Sequence, residues 1–97
     1  MKLYLDDYRD PPEGWTVVRT AKEAIRLLLS GIVTDISLDH DLGTKETGYD
    51  VISWLEEQVV YGKMKAPRTM QVHSANPVGK QRIMAVIRKI YIYAERR

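Results

Sequence analysis

The 97-residue sequence predicts a small α/β fold, a doubly wound, mostly parallel sheet of four strands in the order 2-1-3-4 with three helices. Three observations predict it. Short β-branched or aromatic runs alternate with longer stretches of helical apolar period, the pattern of strands joined by right-handed crossovers. Turn residues punctuate each change of period. The acids Asp6-Asp7 and Asp39-His40-Asp41, and the pair His73-Ser74, each follow a strand run at once, as residues at the carboxyl edge of a parallel sheet do. A chain of this length makes a single domain over residues 1–97. A parallel sheet calls for helices over both faces.

The elements follow in order. Residues 2–5 (KLYL) form a short strand ended by Asp6-Asp7, and residues 8–14 (YRDPPEG) are turn chemistry with two prolines and Gly14. Residues 15–19 (WTVVR) form the second strand. Thr20 and Glu23 have the spacing of a capping box, Ala21, Ala24, Ile25, Leu28 and Leu29 make a helical stripe, and Gly31 stops it. Residues 35–38 (DISL) form the third strand, and 39–48 (DHDLGTKETG) a polar loop. Thr47 caps a helix from about Gly48 to Tyr61, with Val51, Leu55 and Val59 inward. Residues 69–73 (TMQVH) form the fourth strand. Asn76 as cap with Pro77 in the first turn then starts the last helix, whose inner face is Ile83, Ile87, Ile90 and Ala94.

Composition narrows the chemistry. Cysteine is absent, which excludes disulfides and thiolate catalysis. No apolar run approaches the roughly 20 residues of a membrane span, and the N-terminus lacks a signal-peptide pattern, so a cytoplasmic protein is expected. Residues 1–62 carry 12 acids and 6 bases, whereas residues 63–97 carry 1 acid and 9 bases. The basic stretch is either a solvated face of the last helix or a basic wall facing the acidic cluster, and the second would suit a phosphate-bearing ligand.

Ligands of such sheets bind beyond the strand ends, where the strand order reverses. That point lies between strands 1 and 3, so Asp6, Asp7, Asp39 and Asp41 are the candidate metal ligands. Converging carboxylates repel unless a hard cation joins them; Mg²⁺ or Mn²⁺ suits oxygen ligands and accepts a substrate phosphate. His40, His73 and Ser74 are the candidate catalytic groups, the histidines for proton transfer and the hydroxyl for a phosphoryl oxygen. Arg9, Arg19, Lys80 and Arg82 are the candidate phosphate binders. Trp15, Trp54 and the tyrosines are expected to pack in the core or at edges rather than to serve as nucleobase platforms, with Trp54 and Tyr93 open to a dimer face or a neighbour.

At these residues the chain resembles the receiver domains of two-component signalling: Leu5-Asp6-Asp7, Asp39, Gly48-Tyr49-Asp50 and Ser74-Ala75 match their metal-binding pair, phosphoacceptor, helix-opening glycine and hydroxyl-alanine pair. It departs in having only the Pro-Pro turn between its first two strands and no fifth strand carrying that family's lysine. LYLDDYRDPPEGW, RTAKEA, ISLDHDLG, TGYDV and HSANP together resemble more closely the cyclic-phosphate-processing receiver-like domains of bacteria and phages. The resemblance implies a truncated receiver, or flavodoxin-like, fold and a role on cyclic phosphates of nucleotides or RNA ends.

The expected function is that of a metal-dependent phosphodiesterase or phosphohydrolase. The alternatives are a non-enzymatic module that binds metal and a phosphorylated ligand or protein partner, and a receiver phosphorylated on Asp39. The expected partner is a phosphate-bearing small molecule or an RNA end, not a membrane or duplex DNA.

Overall fold

The computed structural model describes residues 1–96; Arg97, the last residue of the expected domain, lies outside the described residues. Strands β1 (Lys2–Leu5), β2 (Thr16–Val18), β3 (Asp35–Leu38) and β4 (Thr69–Val72) form one sheet in the order β2-β1-β3-β4, and every pairing is parallel. Helices α1 (Ala21–Leu29) and α2 (Gly48–Val60) connect β2 to β3 and β3 to β4, and α3 (Pro77–Glu95) follows β4. The fold class is the one expected, and the element ends agree within a residue or two.

Register decides which side chains share a face. Leu3, Ile36 and Met70 make one row, and Leu5, Leu38 and Val72 the next. These rows join Ala24 and Leu28 of α1, Val51, Ile52 and Leu55 of α2, and Ile83, Val86 and Ile90 of α3 in a single core. The helices lie side by side, α2 packing against both α1 and α3. Handedness explains this arrangement. The crossovers β2-to-β3 and β3-to-β4 advance in the same direction across the sheet, so right-handed connections place both helices on the same face.

The β1-to-β2 connection runs the other way and carries no helix. The helical cover expected on both faces is therefore present on one. On the other face lie the alternate rows Lys2–Asp35–Thr69 and Tyr4–Ser37–Gln71. That face is polar apart from Tyr4 and Val17. It is screened in part by the loop after β1, where Trp15 meets Tyr4 edge-on at 6.2 Å and 75°.

The caps form as expected in kind. Thr20 accepts the Glu23 amide at 3.2 Å, and Asn76 accepts the Gly79 amide at 3.0 Å. Asp50 accepts the Thr47 amide at 2.7 Å. Two stripe residues fall outside the core: Leu29 and Ala94, both in the last turn of their helices, are exposed. Trp54 and Tyr93 are half-buried against the core, and the Tyr93 hydroxyl donates to the Val60 carbonyl at 2.9 Å. Among the described residues no helix is long and apolar enough to cross a membrane.

Candidate functional site

Three candidate site residues are fixed by the sheet itself. Asp6, Asp39 and His73 each stand one residue past a strand, and their amides still bond to the neighbouring strand. Asp6 N–H donates to Val18 O at 3.1 Å, Asp39 N–H to Leu5 O at 2.9 Å and His73 N–H to Leu38 O at 2.9 Å. Each lies two positions beyond Tyr4, Ser37 or Gln71, so alternation carries all three side chains toward the face without helices.

Asp6, Asp7 and Asp39 each offer an oxygen within 4.8 Å of the others. Asp6 is fully buried and Asp39 is 5% exposed. The two carboxylates are treated differently. Asp6 Oδ1 accepts the amides of Tyr8 at 3.0 Å and Arg9 at 2.8 Å, and Oδ2 lies 3.1 Å from His73 Nε2. Burial by itself raises the Asp6 pKa, but the Arg9 and Tyr8 amides and His73 outweigh it and hold the carboxyl below its ordinary value. Asp39 receives no side-chain hydrogen bond among the described residues. None of its oxygens is both buried and unpartnered, so the Asp39 carboxylate opens onto the cleft at the trio, and three carboxylates so placed form an oxygen-only donor set that fits Mg²⁺ or Mn²⁺.

His73 is built into the sheet rather than free. Its ring stacks on Tyr4 at 4.0 Å and 6°, and its hydrogen-bond partner Ser37 is 1% exposed. Ser37 Oγ is 2.6 Å from His73 Nδ1. A carboxylate only accepts, so Nε2 carries the proton given to Asp6. Burial lowers the His73 pKa although Asp6 opposes it, so at neutral pH the ring is neutral. Nδ1 then accepts from the Ser37 hydroxyl. The chain Ser37 to His73 to Asp6 fixes the tautomer and the carboxylate together.

The other expected site residues are placed as follows. Asp41 is outside the close trio. Its Oδ1 accepts His40 Nδ1–H at 2.8 Å and its Oδ2 the Asn76 side-chain amide at 3.3 Å, and the His40 bond chiefly holds its carboxyl below the ordinary value. The His40 ring lies on Gly79, where a Cβ would run into it. The Ser74 hydroxyl accepts the Asn76 amide at 3.1 Å. Arg19 Nη1 donates to the carbonyls of Asp6 at 3.2 Å and Arg9 at 2.7 Å, so it braces the loop after β1. Arg82 stacks over Tyr49 at 4.2 Å, and Lys80 lines a separate cleft between β4 and α3.

The cleft at the acidic trio is about 330 Å³ and is lined by Asp7, Tyr8, Arg9, Asp39, Asp41, Gly43 and Ala75. Of the expected phosphate binders only Arg9 borders it, with its guanidinium 3.8 Å from Asp6 Oδ2. Sequence reasoning missed Tyr4, Ser37 and Tyr8. A serine alternating with apolar residues in a buried strand, two places before Asp39, was the available signal for Ser37.

The strand order, the carboxylates at the β1 and β3 ends and the Ser74-Ala75 pair after β4 are the receiver arrangement, compressed into four strands. No curated protein and no solved structure matches the chain. The family model described as cyclic-phosphate processing receiver domain matches residues 1–89. The chain belongs to the family of cyclic-phosphate processing receiver domains.

Proposed function

We propose that this receiver domain is a metal-dependent phosphodiesterase or phosphohydrolase acting on cyclic phosphates, of nucleotides or of RNA ends, with Mg²⁺ or Mn²⁺ held by Asp6, Asp7 and Asp39. The observation that carries the reading is Asp39, whose carboxylate has no hydrogen-bond donor, borders the cleft and lies within 4.8 Å of two others. When bound, the cation supplies a Lewis acid for a phosphoryl oxygen and lowers the pKa of a water molecule. Arg9, at the cleft wall, adds a fork for the phosphate. Asp41 also lines the cleft, backed by His40. His73 acts through Asp6: with Nδ1 and Nε2 both engaged, it positions the carboxylate instead of moving protons. The test is Mn²⁺ binding followed by magnetic resonance, then turnover of a panel of 2′,3′-cyclic nucleotides and cyclic dinucleotides. Hydrolysis that needs the metal and is lost in Asp39→Asn is the expected result. Metal binding with no turnover across the panel would overturn the enzymatic reading.

One observation favours a second reading. Neither histidine borders the cleft. In a module that binds metal and a phosphorylated ligand without chemistry, calorimetry would give tight nucleotide binding and chromatography only intact ligand.

A further inference from the structure

Tyr8 departs from the expectation that the tyrosines pack in the core or at edges. It is 70% exposed, and it stands beside the acidic trio as one wall of the cleft. Its position is fixed by the main chain. The Tyr8 and Arg9 amides both donate to Asp6 Oδ1, the Arg9 carbonyl accepts Arg19, and Pro11-Pro12 stiffen the following turn. The carboxylate that would hold the cation therefore also sets where the ring begins. Arg9 Cζ lies 5.7 Å from the ring centroid, so a flat apolar surface and a cation for phosphate stand together. Gly43 and Ala75, both small, border the same cleft, whose volume of about 330 Å³ is at the lower end of small-molecule sites.

From this arrangement we infer that the ligand of the site carries a nucleobase and that Tyr8 is the platform on which the base stacks while the phosphate lies at Arg9 and the trio. The inference rests on the proposed phosphate site and adds to it the side chain that would hold the base. An exposed aromatic ring gains little from water and much from a stacked base, and loss of one such stack weakens binding by about 5- to 150-fold.

The experiment is calorimetry on the Mn²⁺-loaded protein with two probes, adenosine 2′,3′-cyclic phosphate and the base-free methyl riboside 2,3-cyclic phosphate. Wild type is expected to bind the nucleotide at least about fivefold more tightly than the base-free ester. Tyr8→Ala is expected to erase that preference and Tyr8→Phe to keep it, with Mn²⁺ affinity the same in all three. Equal affinity of wild type for the two probes, a comparison that needs no variant, overturns the inference and leaves the phosphate site standing. So does a preference retained by Tyr8→Ala. Binding of neither probe overturns the inference together with the phosphate site.

Discussion

Asp39 and Asp6 are buried carboxylates one residue past adjacent strands, yet only Asp6 is supplied with donors. The consequence is a pair of opposite expectations for Asp39→Asn. Without a divalent cation the variant should melt at or above the wild-type temperature, because one of three crowded negative charges is gone. With Mn²⁺ the wild type should gain stability by mass action, about 2.7 kcal/mol at one hundred times the dissociation constant, and the variant should gain far less. Thermal melts with and without Mn²⁺ check both halves; a variant less stable without metal and equally stabilised by it would remove Asp39 from the ligand set. Ser37→Ala probes the next layer. It strips the donor from His73 Nδ1 in a site roofed by Tyr4, at a cost of about 1–3 kcal/mol. It also loosens Asp6, so Mn²⁺ affinity should fall, by about tenfold or more if Asp6 is a ligand. Unchanged Mn²⁺ affinity would make Ser37 purely structural. Asp6, Asp7 and Asp39 were legible in the sequence because strand ends converge whatever the loops do. Asp41 and His40 were not, since their directions depend on how the 39–48 loop meets α3.

At the scale of elements, the junction of β3 with α2 controls the site. The Gly48 amide donates to the His40 carbonyl at 2.9 Å, and a Cβ on Gly48 would run into the Asp39 main-chain carbonyl. Propensity alone predicts that Gly48→Ala stabilises the start of α2 by up to about 1 kcal/mol. Backbone cannot yield as a flexible side chain does, so the expected result is a loss of about 2–4 kcal/mol instead. Denaturant melts decide between the signs, and a variant at least as stable as wild type would show that the junction relaxes freely. The caps and helix starts were readable because Thr20, Asn76 and Pro77 act within one turn. The sidedness of the sheet was also written in the strands, where DISL and TMQV alternate polar with apolar. Period two marks a half-bare sheet, but the expectation for parallel sheets, covered on both faces, took precedence over it.

The whole molecule places carboxylates at both ends of its sheet and uses them differently. At the carboxyl end they crowd. At the amino end Asp35 is alone and fully supplied: Thr69 donates to Oδ1 at 2.6 Å, Thr34 to Oδ2 at 2.7 Å, and Arg68 to both at 3.3 and 3.4 Å. The two hydroxyls, ahead of the largely exposed Arg68, hold the Asp35 carboxyl well below the usual carboxylate range. Asp35 ties β3 to β4 and to the segment before it, so its ionisation is coupled to closure of the sheet at that end. Because the folded-state value lies below the unfolded value of about 3.9, the carboxyl contributes stability above that pH and loses it as the pH falls further. Asp35→Asn should therefore melt several degrees below wild type near pH 7, and the gap should narrow steadily below about pH 4, as protonation removes from the wild type what the substitution has already removed. Melting both proteins in metal-free buffer keeps the acidic trio common to the two curves. A gap as wide at pH 2.5 as at pH 7 would mean that Asp35 contributes by shape and neutral hydrogen bonding, and that the acid sensitivity of the fold arises at the other end of the sheet, with Asp6.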